Sequence, residues 1–196
     1  GVLVGQHLGD GGLAAINLSV PVYQVLCILG SFLVSGTAIC ASREIGRENV
    51  ERTRALCKQA QTLCLIASVA ATVLGFIFLQ PLASFLCSDE SIRPMVRDYI
   101  AVTIAGSLPN ILLYIPFWFL RLEGKNRSIT VMMVIMGGGN IILDLWFLYG
   151  LDWGVFGASL ASVLSTAAAC VFGLIRLFGT GSSFVLGISV PRSRKE

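Results

Sequence analysis

ITVMMVIMGGGNIILDLWFLY, residues 129–149, carries one carboxylate, Asp144, and one amide, Asn140, in an otherwise apolar run. At about 1.5 Å per residue, a helix of this length spans roughly 31 Å, the thickness of a bilayer's hydrocarbon core. The stretch therefore reads as a membrane helix with a charge inside it. Such a charge costs about 2.5 to 3.5 kcal/mol on insertion scales, and residues that bear it face a protein interior or a watery cavity. Residues three and four apart share a helical face, so Gly137, Asn140 and Asp144 form one strip. That strip offers two polar groups and, at Gly137, an expected place of close backbone approach.

The rest of the composition agrees with a lipid environment. Of 196 residues, 55% are hydrophobic and 13% charged, about half the charged share of a soluble domain; mean hydropathy is +0.81. No basic patch interleaved with aromatics points to nucleic acid. The six cysteines, at 27, 40, 57, 64, 87 and 170, include no CxxC pair, and His7 is the sole histidine. A zinc site has almost no ligand set, and the cysteines read as small apolar residues packed between helices. No histidine pairs with a carboxylate, no serine lies in a nucleophile elbow and no phosphate loop exists, so the reading is not an enzyme and needs no cofactor.

Working outward from the Asp144 helix, further spans fall at 13–41, 56–79, 97–120 and 155–178. GVLVGQHLG, residues 1–9, reads as the end of another helix, closed by the turn Gly9 to Gly12. With Gly1 in first place and no Met start, the chain reads as a fragment. Residues 42–58 form a polar loop, and Pro81 closes the span before it. Pro109 and Pro116 lie inside the third full span, where each removes a backbone hydrogen bond, so this helix should kink, as a hinge or as a static bend that improves packing. The last span has small residues at every fourth position, Gly157, Ala161, Ser165, Ala169 and Gly173, beside a second row of Ala158, Ser162, Thr166 and Cys170. Small rows let helix backbones approach in lipid. Residues 179–196 read as a polar, basic cytoplasmic connection or tail.

Twelve of the fourteen Lys and Arg residues fall in the loops 42–58 and 121–127, at Arg176 and in the tail, against Arg93 and Arg97 on the other side. By the positive-inside rule the twelve face the cytoplasm. Asp144, five residues before Tyr149, then lies in the outer half of the membrane. Cys87 falls on the outer side and Cys57 on the inner, so an impermeant thiol reagent is expected to reach Cys87 alone.

GQHLGDGGLAAINLSVPV at 5–22, ASREIGRENVERTR at 41–54, NIILD at 140–144 and GVFGASLAS at 154–162 together resemble the multidrug and toxic compound extrusion (MATE) transporters. The resemblance covers nearly the whole chain and implies an all-α polytopic protein of the cell membrane. Residues 1–178 would form helices two to six of a six-helix amino-terminal lobe, the first helix mostly missing. Members have twelve helices in two such lobes and expel organic cations or other drugs in exchange for H⁺ or Na⁺. The implied partners are a drug-like small molecule, the lipid bilayer and a carboxy-terminal lobe absent from this chain. Carried over by position, the cation or proton site uses Asn140, Asp144 and Ser162, with Na⁺ at Asp144 if sodium is the coupling ion. Ser162 stands where many members have Thr, and a further Asp of the first helix would lie upstream of Gly1.

Two other functions fit an apolar chain of this kind. A lipid-linked oligosaccharide flippase of the same superfamily would carry several basic residues along its cavity, and these spans have none away from their ends. In a non-transporting assembly subunit, Asp144 would merely accept a hydrogen bond between helices. Trp146 and Tyr149 mark an interface belt, where a carboxylate is less costly than at mid-membrane.

Overall fold

In lipid a segment must satisfy its own backbone, which an α-helix does, and every regular element among the described residues is helical. A computed structural model describes residues 2–179, with side chains from residue 9 onward. The basic tail expected beyond residue 179 lies outside the described residues. In chain order the elements are α1 (Val2–Gly46), α2 (Val50–Ile77), α3 (Leu79–Leu86), α4 (Arg93–Ala105), α5 (Ser107–Leu112), α6 (Tyr114–Leu122), α7 (Asn126–Leu145) and α8 (Gly154–Phe178). A π-helical turn, Trp146–Gly150, continues α7. Gly9–Gly46, Val50–Ile77, Asn126–Gly150 and Gly154–Phe178 are each long and apolar enough to cross a membrane. Arg93–Ala105 with Ser107–Leu122 makes a fifth span, bent by 56°.

Several boundaries differ from the sequence reading. The turn expected over 9–12 shrinks to one residue, Gly9, whose φ of 67° kinks α1 without ending it. The loop expected over 42–58 shrinks to 47–49, because its charged residues fit the exposed ends of α1 and α2. There Asn49 caps α2, its Oδ1 accepting the Arg52 N–H at 3.1 Å. Pro81 does not close α2; it stands in the first turn of α3, where a missing N–H costs little. The third full span starts at Arg93 rather than 97 and breaks at Gly106 and Leu113. Each break falls three residues upstream of a proline, Pro109 or Pro116, beside the carbonyl four residues back that the ring crowds. Side-chain hydroxyls tie down the first break: Ser107 bonds Thr72 at 2.5 Å and donates to the Ser68 carbonyl at 3.3 Å.

The core has two main layers. Leu26, Val34, Cys64, Ile111, Ile115, Phe119, Met132 and Leu177 fill the half expected to face the cytoplasm. Ala15, Cys87, Val96, Ile100 and Ile104 fill the other. Outside them the chain presents large apolar side chains, Phe32, Phe85, Ile66, Val134 and Ile142 among them, as a lipid-facing surface requires. Both small-residue rows of α8 point inward, and all but Ser162 of their members are buried. At Gly157 an added Cβ would stand 3.0 Å from the Cβ atoms of Phe147 and Trp153, so the backbones meet there. Gly137 is different: a Cβ there would meet nothing within 4 Å among the described residues, so the close approach expected at this residue is not found among them. Of the six cysteines, Cys40 is exposed and Cys27 half-buried, so packing between helices describes only the other four.

The connection between α3 and α4, expected on the outer side, is held by its own polar groups. Asp89 accepts the Ser91 N–H at 2.9 Å and the Ser91 hydroxyl at 2.8 Å, and these bonds hold its carboxyl below the usual carboxylate range. Arg93 donates to the carbonyls of Cys87 and Ser88. Cys87 and Cys57 are 2% and 3% exposed, so neither suits the labelling test that the sequence invites. The test moves to exposed neighbours: in whole cells, Ser88→Cys is expected to react with an impermeant maleimide and Glu48→Cys is not. The reverse pattern would invert the orientation. Packing has its own test, thermal unfolding of the detergent-solubilised parent protein. Gly157→Val should cost about 1–3 kcal/mol by overpacking, whereas Gly137→Ala should leave the midpoint unchanged or raise it.

Candidate functional site

Three helices bring the polar groups together. Asn140 stands on α7 and Ser162 on α8, and the small row beside Ser162 lets the two helices lie close enough for a direct bond. Asn140 Nδ2 donates to Ser162 Oγ at 3.0 Å. Ser162 Oγ in turn donates to the Ala158 carbonyl at 3.1 Å. Tyr99, from α4, brings its side chain close to Ser162. The Tyr99 carbonyl accepts from Thr103 Oγ1 of its own helix at 2.9 Å and from Ser159 Oγ of α8 at 3.0 Å, and the second bond ties α4 to α8.

Asp144 lies one turn beyond Asn140 on α7 and is half-buried. Its Oδ1 is fully shielded and has no hydrogen-bond partner among the described residues. Tyr99 lies within electrostatic reach of the carboxylate. The π turn begins two residues later, where the Leu151 N–H donates to the Trp146 carbonyl, five residues back, at 3.1 Å. Turns of this kind often adjoin functional groups because they shift the register of one helix end. Trp146, Phe147, Trp153 and Phe156 pack ring to ring beside it, at centroid separations of 5.8, 5.3 and 6.2 Å. These rings form an aromatic belt at the end of the span.

Of the residues singled out from the sequence, Asn140 and Ser162 touch, and Asp144 follows on the same face of α7. Gly157 packs the π turn, while Pro109 and Pro116 shape the broken span. Tyr99 was not legible: it lies 41 residues before Asn140, and only the packing of α4 on α8 brings it in. Its one sequence signal is a polar-tipped aromatic near the start of an apolar span. Chemically, the site presents one carboxylate with an amide and two hydroxyls. Oxygen donors carrying a single negative charge can hold a proton or a small hard cation. Among the described residues, no three His, Cys, Asp or Glu side chains gather in one place.

Long apolar helices around a shielded intramembrane carboxylate define a polytopic membrane protein with an ionisable site between its helices. The chain belongs to the MatE family, whose model matches residues 1–146. Among curated proteins it is 29% identical to an FAD transporter of Shewanella oneidensis over 168 residues, 84% of this chain and 37% of that protein. It is 27% identical to the multidrug export protein MepA of Staphylococcus haemolyticus over 175 residues, 89% of this chain and 38% of that protein. A solved structure described as the inward-facing conformation of a multidrug resistance MATE family transporter of the MOP superfamily matches with a TM-score of 0.87. It is 27% identical, and the match covers 93% of this chain and 42% of that one. The chain thus spans under half the length of the relatives it matches.

Ser162 is the hub of these bonds, and its removal gives a prediction. Ser162→Ala would leave the Asn140 amide without its acceptor, at about 1–3 kcal/mol. Ser162→Thr should keep that bond. Thermal unfolding of the two variants in detergent should therefore show a lowered midpoint for alanine and a near-parental one for threonine.

Proposed function

We propose that this chain forms the amino-terminal lobe of a secondary active exporter, which expels drug-like solutes across the cell membrane in exchange for H⁺ or Na⁺. The observation that carries the reading is the shielded, unpartnered Oδ1 of Asp144 beside the Asn140, Ser162 and Tyr99 groups. A buried carboxylate oxygen without a donor is costly, and a proton or a sodium ion relieves that cost. Proton and cation cannot both hold the oxygen, so the two compete, and competition for one group is what exchange requires. Asn140 positions the site through Ser162, and Asp144 carries the charge. Membership of the MatE family, with an FAD transporter and a multidrug exporter among the relatives, supports solute export as the work coupled to that ion.

Alternating access needs a second lobe for this one to rock against, so export is assigned to the full-length parent rather than to residues 1–196 alone. The flippase reading is disfavoured because no Lys or Arg occurs within the spans away from their ends. The test is drug efflux from cells or vesicles under an imposed H⁺ or Na⁺ gradient. Asp144→Asn keeps the shape and a hydrogen-bonding capacity but removes the charge, so expression should persist while gradient-driven export falls at least tenfold. Asn140→Ala should reduce export less. Parental export by Asp144→Asn would make the carboxylate a structural acceptor and overturn the mechanism.

A further inference from the structure

Three of the chain's four methionines, Met132, Met133 and Met136, stand within little more than one turn of α7. All three line one cavity of about 170 Å³, together with Tyr23 of α1 and Tyr114 and Phe117 of α6. Residues three and four apart are neighbours on a helix, which is why Met136 meets both of the others. Met132 is buried, Met136 half-buried and Met133 exposed, so the thioethers lead from the surface inward. Gly173 of α8 leaves room for the innermost, since an added Cβ there would lie 2.8 Å from the Met132 sulfur. Leucine fills a similar volume and loses less side-chain entropy on burial. Three thioethers in one cavity are therefore more than packing asks for.

Thioether sulfur is a soft, neutral donor and selects soft metal ions, copper(I) among them. Hard and borderline ions have no ligand set in this place. No carboxylate or imidazole lines the cavity, and no three His, Cys, Asp or Glu side chains gather anywhere among the described residues. The same surroundings decide the charge of the ion. Neutral donors offset no second charge, and the cost of burying an ion rises with the square of its charge. The Arg121 guanidinium, 5.7 Å from the centroid of the Phe117 ring, adds to that cost. A large, weakly hydrated monovalent ion gives up least, and the tyrosine rings of the wall attract it without any counter-charge. The cavity holds several times the roughly 30 Å³ that one water occupies, so an ion fits, and the flexible methionine chains can close on it.

We propose that Met132, Met133 and Met136 form a binding site for a soft monovalent metal ion of the copper(I) class, with the three thioethers as its ligands. The site is separate from Asp144, which offers oxygen and stands eight residues past Met136, roughly 12 Å along the helix. It does not rest on the export reading, and binding alone tests it. Silver(I), a redox-stable ion of the same class, is the probe, titrated calorimetrically in nitrate buffer into the purified full-length parent. The triple variant Met132→Leu, Met133→Leu, Met136→Leu conserves volume, so it should unfold near the parental midpoint and bind one silver ion fewer per chain. Cys27, which Tyr23 and Tyr114 flank, stays in both proteins with the other cysteines, so the difference reads the methionines alone. Excess Zn²⁺ or Na⁺ should not displace that silver, and Asp144→Asn should bind it as the parent does even where export fails. The parent itself supplies a second reading through methionine oxidation by peroxide, followed by peptide mass spectrometry. Silver should slow sulfoxide formation at Met133 and Met136 at least threefold, because a coordinated sulfur is a poor nucleophile, and leave Met95 unchanged; Met95 is exposed on α4 and no part of the cavity. Equal silver binding by parent and triple variant, displacement by Zn²⁺, or protection of Met95 as strong as that of Met133 would each overturn the site. If the triple variant fails to fold, the oxidation pattern of the parent decides.

Discussion

A carboxylate oxygen of Asp144 is shielded from water and has no donor among the described residues, which is costly in an apolar surrounding. Most of the site's architecture can be read from how that oxygen is held. The small rows of α8 let α7 approach, and the approach places Asn140 on Ser162. A bond from Ser159 to the Tyr99 carbonyl then ties α4 to α8. Bulkier residues in the α8 rows would hold the helices apart and lengthen the Asn140 bond. The site therefore depends on packing made by residues that carry no charge and have no chemistry of their own.

The same economy governs the broken span. Hydrocarbon supplies no partners for backbone groups that a proline strands, so breaks persist only where protein hydroxyls or carbonyls lie at hand. Ser107 anchors the break at Gly106 to α2 through Ser68 and Thr72. The 56° bend is therefore a contact between helices as much as a property of one. It also directs α4 toward α8, so that this segment brings Tyr99 to the candidate site.

Much of this was legible in the sequence, for reasons that are physical. Spans announce themselves by length and hydropathy, and the rows of α8 by a four-residue repeat that packing must respect. The kinked span was legible from Pro109 and Pro116, although the breaks lie three residues before each ring, where the crowded carbonyl sits. Three features were hidden. Gly137 and Gly157 look alike as letters, yet among the described residues only Gly157 of the two meets a neighbour, since contact depends on which face of the helix the partner covers. The π turn after Asp144 depends on bonds from 151 to 146 and from 153 to 147, which no residue type there demands. Tyr99 needed the tertiary fold, because nothing local distinguishes it from Tyr23 or Tyr149.

Met132, Met136, Asn140 and Asp144 follow one another at four-residue steps and so share one face of α7. The two ends of that face meet α8 by different means. Near one end the Asn140 amide donates to Ser162, a bond with a fixed direction. Near the other, an added Cβ at Gly173 would stand 2.7 Å from the Met132 methyl group and 2.7 Å from Pro116 Cβ, so the contact is steric and close. A rotation of α7 about its axis would have to break the bond and part that packing together, which makes the position of Asp144 a property of the whole α7–α8 pair.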